Sequence, residues 1–264
     1  MGSGAPVGSP LVANHPSNAG RRIASFFTDE LNPNVMDRRS FLGAAGLAGA
    51  TGLAGCVGES VAGFGDADPN VALGEPDRDE QLESSDLPYP AWGERVPDVT
   101  VPYALSNGNV SVRDIDGPHF HTFFFTNCMT VCPVLISALR EVQVHSVNEG
   151  YADEVSFYPI SFDPARDDAA AFRKEAEQMN VDIDAGNWHF LRPDGESEAR
   201  RIVDDEFGVF FQKQANGDDP YMFAHTSVVL LVNGDGYVER SYRGTQPDEG
   251  TMIDDLKRVR RASE

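Results

Sequence analysis

Two cysteines near the middle of the chain are the residues with the clearest capacity for chemistry. Cys128 and Cys132 lie in the segment FFFTNCMTVCP, which ends at Pro133, and three residues separate them. This spacing is one residue wider than that of dithiol oxidoreductases, and the extra residue suits two sulfurs that converge on a metal. A thiolate is both a nucleophile and a soft metal ligand. We therefore predict that Cys128 and Cys132 form a metal-binding pair, with a redox-active pair as the alternative.

The residues around the cysteines predict the elements that hold them. The aromatic run 120–126 predicts a buried strand, and apolar residues at helical spacing over 133–147 predict a helix. Pro133 suits the first turn of that helix. Because proline disfavours helical geometry in the residue before it, we expect Cys132 at the helix cap. A thiol at a helix N-terminus feels the positive end of the helix dipole, which favours the thiolate.

The rest of the chain predicts alternating strands and helices. Predicted strands cover 99–105 and 110–115 on either side of the turn Asn107-Gly108, then 120–126, 155–162, 188–191, 226–232 and 237–242. Predicted helices cover 133–147, 167–179, 196–206 and 250–261. This order is typical of a thioredoxin-like α/β fold, with a central mixed β-sheet flanked by helices and an added N-terminal β-hairpin. We place this domain at residues 98–264.

A trigonal Cu(I) site needs a third donor beside two thiolates, and His225 is the candidate. It lies in the segment YMFAHTS, directly before the predicted strand 226–232. Soft sulfur selects Cu(I), and imidazole also suits copper. In a thioredoxin-like sheet, the loop before that strand lies beside the helix that carries the cysteines. We therefore expect His225 to meet Cys128 and Cys132 in space, and the alternative is an ordinary polar residue at the start of a strand.

Three motifs in this order resemble the SCO/SenC family over about residues 98–261: the CxxxCP loop after an aromatic strand, the stretch ISFDPARD from Ile160, and HTS from His225. The resemblance implies a thioredoxin-like fold and copper binding by Cys128, Cys132 and His225, as Cu(I) with Cu(II) left open. It also implies a metallochaperone that helps to build the dinuclear copper site, CuA, of cytochrome c oxidase subunit II. Another exported copper protein is the alternative partner.

Two positions depart from the family pattern. Family members commonly place Asp directly before the ligand His, where this chain has Ala224, and Pro directly after the first Cys, where it has Met129. The first change removes a carboxylate that could orient the imidazole, so it bears on metal affinity more than on the identity of the ligand. Within the matching segment, we expect Asp163, Arg166 and Asp167 to fix the loop after the strand and to cap the next helix.

The N-terminal part predicts export and a lipid anchor. Arg38 and Arg39, followed by Ser-Phe-Leu, resemble a twin-arginine export signal, and the weakly apolar run after them is too short to span a bilayer. This run ends in LAGC at Cys56, which resembles a lipobox. We therefore expect Cys56 to be lipidated and to tether the protein to the extracytoplasmic face of the cell membrane. A buried helix with one free cysteine is the alternative.

These signals divide the chain before the domain into three segments. Residues 1–35 predict a disordered leader or an over-extended start before Met36. Residues 36–56 form the predicted lipoprotein signal. Residues 57–97 are rich in Gly, Pro and acidic side chains, and they predict a flexible linker between the membrane and the domain.

The charge balance excludes nucleic acid as a partner. Acidic residues outnumber basic residues 42 to 21, so the formal net charge is −21, whereas phosphate binding needs a concentrated basic surface. Lysine occurs only at 174, 213 and 257, and arginine supplies the other basic residues. A surface with many acids and few lysines stays hydrated in concentrated salt, which also screens its self-repulsion. We predict a halophilic protein.

The cysteine pair also supports other functions. A thiol-disulfide oxidoreductase would use Cys128 and Cys132 as a catalytic redox pair, to reduce the cysteines of the oxidase copper site or of other exported proteins. That activity would not need His225. A structural disulfide between the two cysteines is a further alternative, because an exported location permits it.

Four further residues could bind a metal but have simpler roles. His119 and His121 share one face of the aromatic strand, and we expect them to be strand-edge residues, since no acidic or thiol partner lies at ligand spacing nearby. Met129 and Met222 offer soft sulfur to copper, but packing is the usual role of methionine.

Overall fold

The computed structural model describes residues 70–76, 84–217 and 219–263. The predicted leader 1–35 and the predicted signal 36–56, with its lipidation site Cys56, lie outside the described residues. Among the helices of the described segments, none is long and apolar enough to cross a membrane.

Strands and helices alternate along the described chain. The strands are β1 (Thr100–Pro102), β2 (Asn109–Ser111), β3 (His119–Phe124), β4 (Ser156–Ser161), β5 (Phe211–Asn216), β6 (Asp219–His225), β7 (Val228–Val232) and β8 (Val238–Arg243). The helices are α1 (Cys132–Asn148), α2 (Ala169–Met179), α3 (Glu196–Ala199) and α4 (Glu249–Ala262). A π-helical segment, Arg200–Glu206, continues α3.

The central sheet has the strand order β4-β3-β7-β8. β3 runs parallel to β4 and antiparallel to β7, and β7 pairs antiparallel with β8. Phe157 and Ile160 of β4 also make parallel bridges to Trp188 and Leu191 at the edge of the sheet. Every residue of β3 is buried, which is typical of a central strand covered on both faces. The predicted α/β class with a central mixed sheet is confirmed.

A small antiparallel pair of strands precedes the central sheet. β1 pairs with β2, and Val101 lies opposite Val110. The predicted strands 99–105 and 110–115 are longer than β1 and β2. Pro102 accounts for part of the difference, because it has no backbone N–H with which to continue the ladder.

Helix α1 begins one residue earlier than expected. Cys132 is its first residue, and Val131 is the N-cap residue, whose side chain makes no capping hydrogen bond. Cys132 therefore lies in the first turn and not at the cap. The turn accommodates Pro133 because the first N–H groups of a helix have no partner within the helix.

Strands β5 and β6 form an antiparallel hairpin that is absent from the predicted elements. Phe211 lies opposite His225, which is the last residue of β6 and not part of a loop before a strand. Two features of the sequence indicate this hairpin. A glycine at position 217 fits the two-residue turn between the paired residues Asn216 and Asp219, and aromatic side chains alternate with other residues through Tyr221, Phe223 and His225. The hairpin carries the predicted histidine ligand.

The described parts of the predicted linker 57–97 pack against the domain. The N–H of Leu73 donates a hydrogen bond to the Glu239 carboxylate (2.9 Å), and the Trp92 indole donates to the carbonyl of Leu73 (2.8 Å). Leu73 and Val96 are buried in the hydrophobic core. The prediction of a flexible linker is therefore wrong for the described parts of 57–97. Within the described residues of this segment, Leu73, Tyr89, Ala91 and Val96 are buried.

Candidate metal centre

Cys128 and Cys132 lie at the junction of β3 and α1. After β3 the chain turns through Thr126 and Asn127, and the N–H of Cys128 donates to the carbonyl of Phe125 (3.1 Å). Cys128 keeps 8% of its surface exposed, whereas Cys132 keeps 1%. Both thiols are free. Cys128 is therefore the sulfur that an incoming reagent reaches first.

His225 provides the third donor. One ligand atom from each of Cys128, Cys132 and His225 lies within 4.8 Å of the other two, and the Nε2 atom of His225 is 3.5 Å from the Cys132 Sγ atom. The imidazole packs against the rings of Phe162 and Phe125, at centroid distances of 5.1 and 6.3 Å. The structure thus brings together the three residues that the sequence predicts as ligands. Within the described part of the chain, no other group of three such side chains could hold a metal ion.

A backbone carbonyl orients the imidazole. The Nδ1 atom of His225 lies 3.0 Å from the carbonyl oxygen of Thr226. Since a carbonyl oxygen only accepts, Nδ1 carries a proton, and Nε2 is the ring nitrogen that faces the sulfurs. This is the tautomer that a metal ligand requires. The carbonyl therefore takes the orienting role that a carboxylate at position 224 could have had, where this chain has Ala224.

The two thiols differ in acidity. The pKa of Cys128 is lowered, because a hydrogen bond from the Cys132 thiol stabilises the Cys128 thiolate, and the Thr130 hydroxyl, 3.5 Å away, adds to the effect. The pKa of Cys132 is raised well above its usual value, because the thiol is buried and the adjacent Cys128 thiolate opposes a second negative charge. At neutral pH the pair holds one thiolate and one thiol. A metal that binds both sulfurs therefore displaces one proton.

Two buried carboxylates influence the cysteine loop. Asp167 accepts hydrogen bonds from the N–H and hydroxyl of Thr126 (3.2 and 2.6 Å) and from the Ser161 hydroxyl (2.6 Å), so it ties the end of β3 to β4. Burial raises the pKa of Asp167 to about 6. Burial also raises the pKa of Glu175 to about 7, with smaller contributions from the charges of Asp167 and Cys128. Glu175 is not among the predicted site residues, because nothing in the sequence separates it from the exposed acids of α2.

Asp163 and Arg166 connect the loop after β4 to the hairpin that carries His225. The Tyr221 hydroxyl donates to Asp163 (2.8 Å), and the Arg166 guanidinium donates to the carbonyl of Tyr221 (2.9 Å). Arg166 also pairs with Asp163 and stacks over the Tyr221 ring, 3.7 Å from its centroid. We name this group the Asp163–Arg166–Tyr221 clamp. The prediction that Asp163, Arg166 or Asp167 caps the next helix is wrong, because the N-cap residue of α2 is Asp168.

His119 and His121 lie in the centre of the sheet and not at the metal centre. Both are fully buried, so the expected strand-edge position is wrong, because β3 is flanked by β4 and β7. The Nδ1 atoms bond to the carbonyls of Gly117 (2.9 Å) and Tyr158 (3.2 Å), and neither Nε2 atom has a protein hydrogen-bond partner. Burial lowers the pKa of His119 to about 4 and that of His121 well below its usual value. Both rings are therefore neutral at neutral pH.

Comparison with known proteins identifies relatives along most of the domain. A family model described as SCO1/SenC matches residues 96–261, which is more than half of the chain. The SCO1 protein homolog of Bacillus subtilis is 30% identical over 149 residues, which cover 56% of this chain and 72% of that relative.

Solved structures share the fold. The structure of Bradyrhizobium japonicum ScoI with copper bound has a TM-score of 0.52 and 22% identity, and the match covers 62% of this chain and 98% of that chain. The structure of BsSco, described as a member of the Sco family of cytochrome c oxidase assembly proteins with a disulfide switch, has a TM-score of 0.51 and 25% identity. That match covers 66% of this chain and 96% of the other. The predicted thioredoxin-like fold is confirmed by these likenesses.

Proposed function

The chain belongs to the SCO1/SenC family, and from this premise we propose that it is a metallochaperone that binds Cu(I) and delivers it to the CuA site of cytochrome c oxidase subunit II. The observation that carries the proposal is the convergence of Cys128, Cys132 and His225, whose ligand atoms lie within 4.8 Å of one another. The descriptions of two similar structures support it, since one holds copper and the other belongs to a family of oxidase assembly proteins.

The donor set favours Cu(I) over other common metals. Thiolate sulfur is soft and selects Cu(I), and imidazole suits copper as well. Structural zinc sites are almost always four-coordinate, and Cu(II) prefers a tetragonal arrangement of nitrogen and oxygen donors. Three donors, two of them sulfur, do not complete a structural zinc site, and they are softer than the donors that Cu(II) prefers. Cys132 is buried, whereas Cys128 keeps 8% of its surface exposed and His225 is half-buried, so a partner can reach the site from this side.

The proposal includes attachment to the membrane. The twin-arginine motif at Arg38 and Arg39 and the lipobox at Cys56 support export followed by lipidation of Cys56. A lipid anchor on the extracytoplasmic face would hold the domain near a membrane-embedded oxidase. Radiolabelled lipid precursor tests this part: wild-type protein should incorporate label in its native host, and a Cys56→Ser protein should not. Equal labelling of both proteins would contradict it.

A thiol-disulfide oxidoreductase is the second candidate, and the difference between the two thiols favours it. The more exposed Cys128 has the lowered pKa and would attack a target disulfide, and the buried Cys132 would then displace the target. Two electrons pass to the target, which gains two thiols, while Cys128 and Cys132 become a disulfide. The disulfide switch described in BsSco supports this chemistry. Both activities can coexist, because metal loading of an oxidase site requires reduced thiols.

Copper affinity of ligand variants separates the two candidates. We titrate reduced protein with Cu(I) against a competing chelator, using wild type, His225→Ala and, as a control, His145→Ala in α1. A chaperone predicts that His225→Ala weakens binding by more than about 100-fold, since residues that only orient a ligand already contribute about 10–100-fold. The His145→Ala protein should bind as wild type does. A pure oxidoreductase predicts equal affinities for all three proteins and unchanged dithiol activity in His225→Ala.

Delivery has its own test. Copper-loaded protein is mixed with the apo form of the soluble CuA domain of subunit II under reducing conditions, and the absorbance of the assembled CuA centre is followed after reoxidation. The proposal predicts that the centre forms with the wild-type donor and not with copper-free protein. If copper stays on the donor at equilibrium, the CuA domain is not its target.

A further inference from the structure

Met129 is the one residue of the cysteine loop whose position calls for an explanation beyond packing. It lies directly after Cys128, and 84% of its surface is exposed, more than for any other large apolar side chain among the described residues. Methionine usually fills gaps in a hydrophobic core. Met252 does so and is fully buried, and Met222 packs partly against the core. Packing therefore explains Met222 and Met252 but not Met129.

The surroundings of Met129 are those of an approach path to the metal centre. Cys132 is almost completely buried and Cys128 nearly so, whereas Asn127 and Thr130 in the same loop are exposed. The exposed residues of this loop therefore give copper a path to the thiols beside the half-buried His225. A thioether is soft and uncharged, and it has affinity for Cu(I) without the loss of a proton. Met129 brings a sulfur of this kind into the exposed loop, directly after Cys128.

We propose that the Met129 thioether is a capture ligand, which takes Cu(I) from a donor and passes it to Cys128, Cys132 and His225, and which acts in reverse during release. This inference rests on the proposed Cu(I) function of the same site. It adds a sulfur that makes contact with copper only during transfer and is not one of the three resident ligands.

The transfer is a series of ligand exchanges in which copper remains Cu(I). The Met129 sulfur donates a lone pair to copper while a bond from copper to the donor breaks. The Cys128 thiolate then bonds to copper, and Cys132 follows with release of its thiol proton to water. His225 completes the site through Nε2, and the thioether leaves. Because the resident ligands are unchanged by the route, loss of the thioether should slow uptake and release by the same factor.

The experiment measures transfer rates on the reduced, full-length protein. Uptake of Cu(I) from a coloured Cu(I)–bicinchoninate complex and release to an excess of the same chelator are followed by stopped-flow absorbance. The variants are Met129→Leu, which keeps an apolar side chain of similar size without the sulfur, Met129→Ser, which also removes the apolar surface, and Met222→Leu as the matched control. The equilibrium affinity for Cu(I) is measured for each protein.

We expect Met129→Leu and Met129→Ser to slow uptake and release alike by about 10-fold, which corresponds to about 1.4 kcal/mol in the barrier, with an unchanged equilibrium affinity. Met222→Leu should match wild type. Wild-type rates in Met129→Leu would overturn the proposal. This holds even if Met129→Ser is slow, because an apolar side chain without sulfur would then suffice for transfer. A fall in the affinity of Met129→Leu equal to its fall in uptake rate would also overturn it, because Met129 would then be a resident ligand.

The result also separates this inference from the proposed function. A Cys128→Ser protein serves for this purpose, because it lacks a resident ligand. If wild type binds Cu(I) tightly and Cys128→Ser does not, while Met129→Leu behaves as wild type, only the capture role fails. If wild type binds Cu(I) no better than Cys128→Ser, the copper function fails and the capture role fails with it.

Discussion

At the scale of single residues, the orientation of His225 depends on a backbone atom. The carbonyl of Thr226 accepts from Nδ1 at 3.0 Å, and this bond leaves Nε2 facing the Cys132 sulfur at 3.5 Å. The three ligands could be predicted from the sequence, because their residue types and their motifs are specific. The role of the carbonyl could not, because every residue has a carbonyl and only the path of the chain decides which one meets the ring.

The first residue-scale prediction concerns Ala224, the residue directly before His225. The Thr226 carbonyl already orients the ring. Ala224→Asp should therefore change the Cu(I) affinity by less than about 10-fold, the lower end of the effect of residues that orient a ligand. Chelator competition on wild type and Ala224→Asp measures the difference, and Ala224→Asn controls for side-chain size. A gain of about 100-fold in Cu(I) affinity in Ala224→Asp, but not in Ala224→Asn, would contradict this prediction, because the carbonyl would then orient the imidazole poorly.

The second residue-scale prediction concerns pH. The pKa of Cys132 is raised well above its usual value by burial, whereas that of Cys128 is lowered by the hydrogen bond from Cys132. Copper therefore displaces one thiol proton around neutral pH and above, and the apparent affinity should rise about tenfold per pH unit between about pH 7 and 8.5. Competition titrations at several pH values measure this slope. A flat profile would contradict the state of the cysteine pair, and so would a slope of two protons per copper.

At the scale of elements, the metal centre depends on how β5 and β6 pack against the loops after β3 and β4. The Asp163–Arg166–Tyr221 clamp makes this connection, and Phe162 stacks on Phe211 at a centroid distance of 4.9 Å. The central strands and helices could be predicted, because apolar periodicity marks them. The hairpin is harder to predict from apolar periodicity, because polar residues such as Lys213 interrupt its strands.

The element-scale prediction removes one bond of the clamp. Tyr221→Phe deletes the hydroxyl that donates to Asp163, and the hairpin should then hold His225 less firmly. We expect the Cu(I) affinity to fall by about 10-fold, as for other residues that support a ligand without touching the metal. Chelator competition measures the affinity, and chemical unfolding measures the free energy of unfolding.

The matched control for this prediction is Tyr242→Phe. It deletes a comparable bond, from the Tyr242 hydroxyl to Asp255 (3.1 Å), which joins β8 to α4 away from the metal centre. Both variants should lose about 1 kcal/mol of the free energy of unfolding, the usual net contribution of one hydrogen bond. Only Tyr221→Phe should lose affinity. Equal affinities in the two variants would show that the clamp supports the fold alone.

At the scale of the whole molecule, buried titratable groups affect stability in opposite directions. His119 and His121 are buried as neutral rings with lowered pKa values. As the pH falls, these imidazoles bind protons in the unfolded chain before they do so in the folded protein, so acid favours unfolding. Asp167 and Glu175 have raised pKa values, so they favour the folded state as the pH falls from about 7. None of these four burials could be predicted from the sequence, because burial of a polar residue depends on elements distant in the chain.

Replacing His119 by Phe isolates its contribution to the pH dependence of stability, as the difference between the variant and the wild type. The unfolded chain protonates His119 near pH 6.5, whereas the folded protein resists until about pH 4. His119→Phe should therefore gain about 3 kcal/mol in the free energy of unfolding relative to wild type as the pH falls from 7 to 4, since one pKa unit corresponds to about 1.4 kcal/mol. Urea unfolding at several pH values measures it. A difference that does not vary with pH would contradict the burial of a neutral imidazole.

X-ray absorption at the copper edge of the reduced, copper-loaded protein counts the atoms bound to the metal. We expect two sulfur atoms and one nitrogen atom around Cu(I) in the wild type, and in His225→Ala the loss of the nitrogen with both sulfurs kept. A wild-type spectrum with sulfur ligands only, or the same nitrogen signal in His225→Ala, would contradict the assignment of Cys128, Cys132 and His225 as the metal centre.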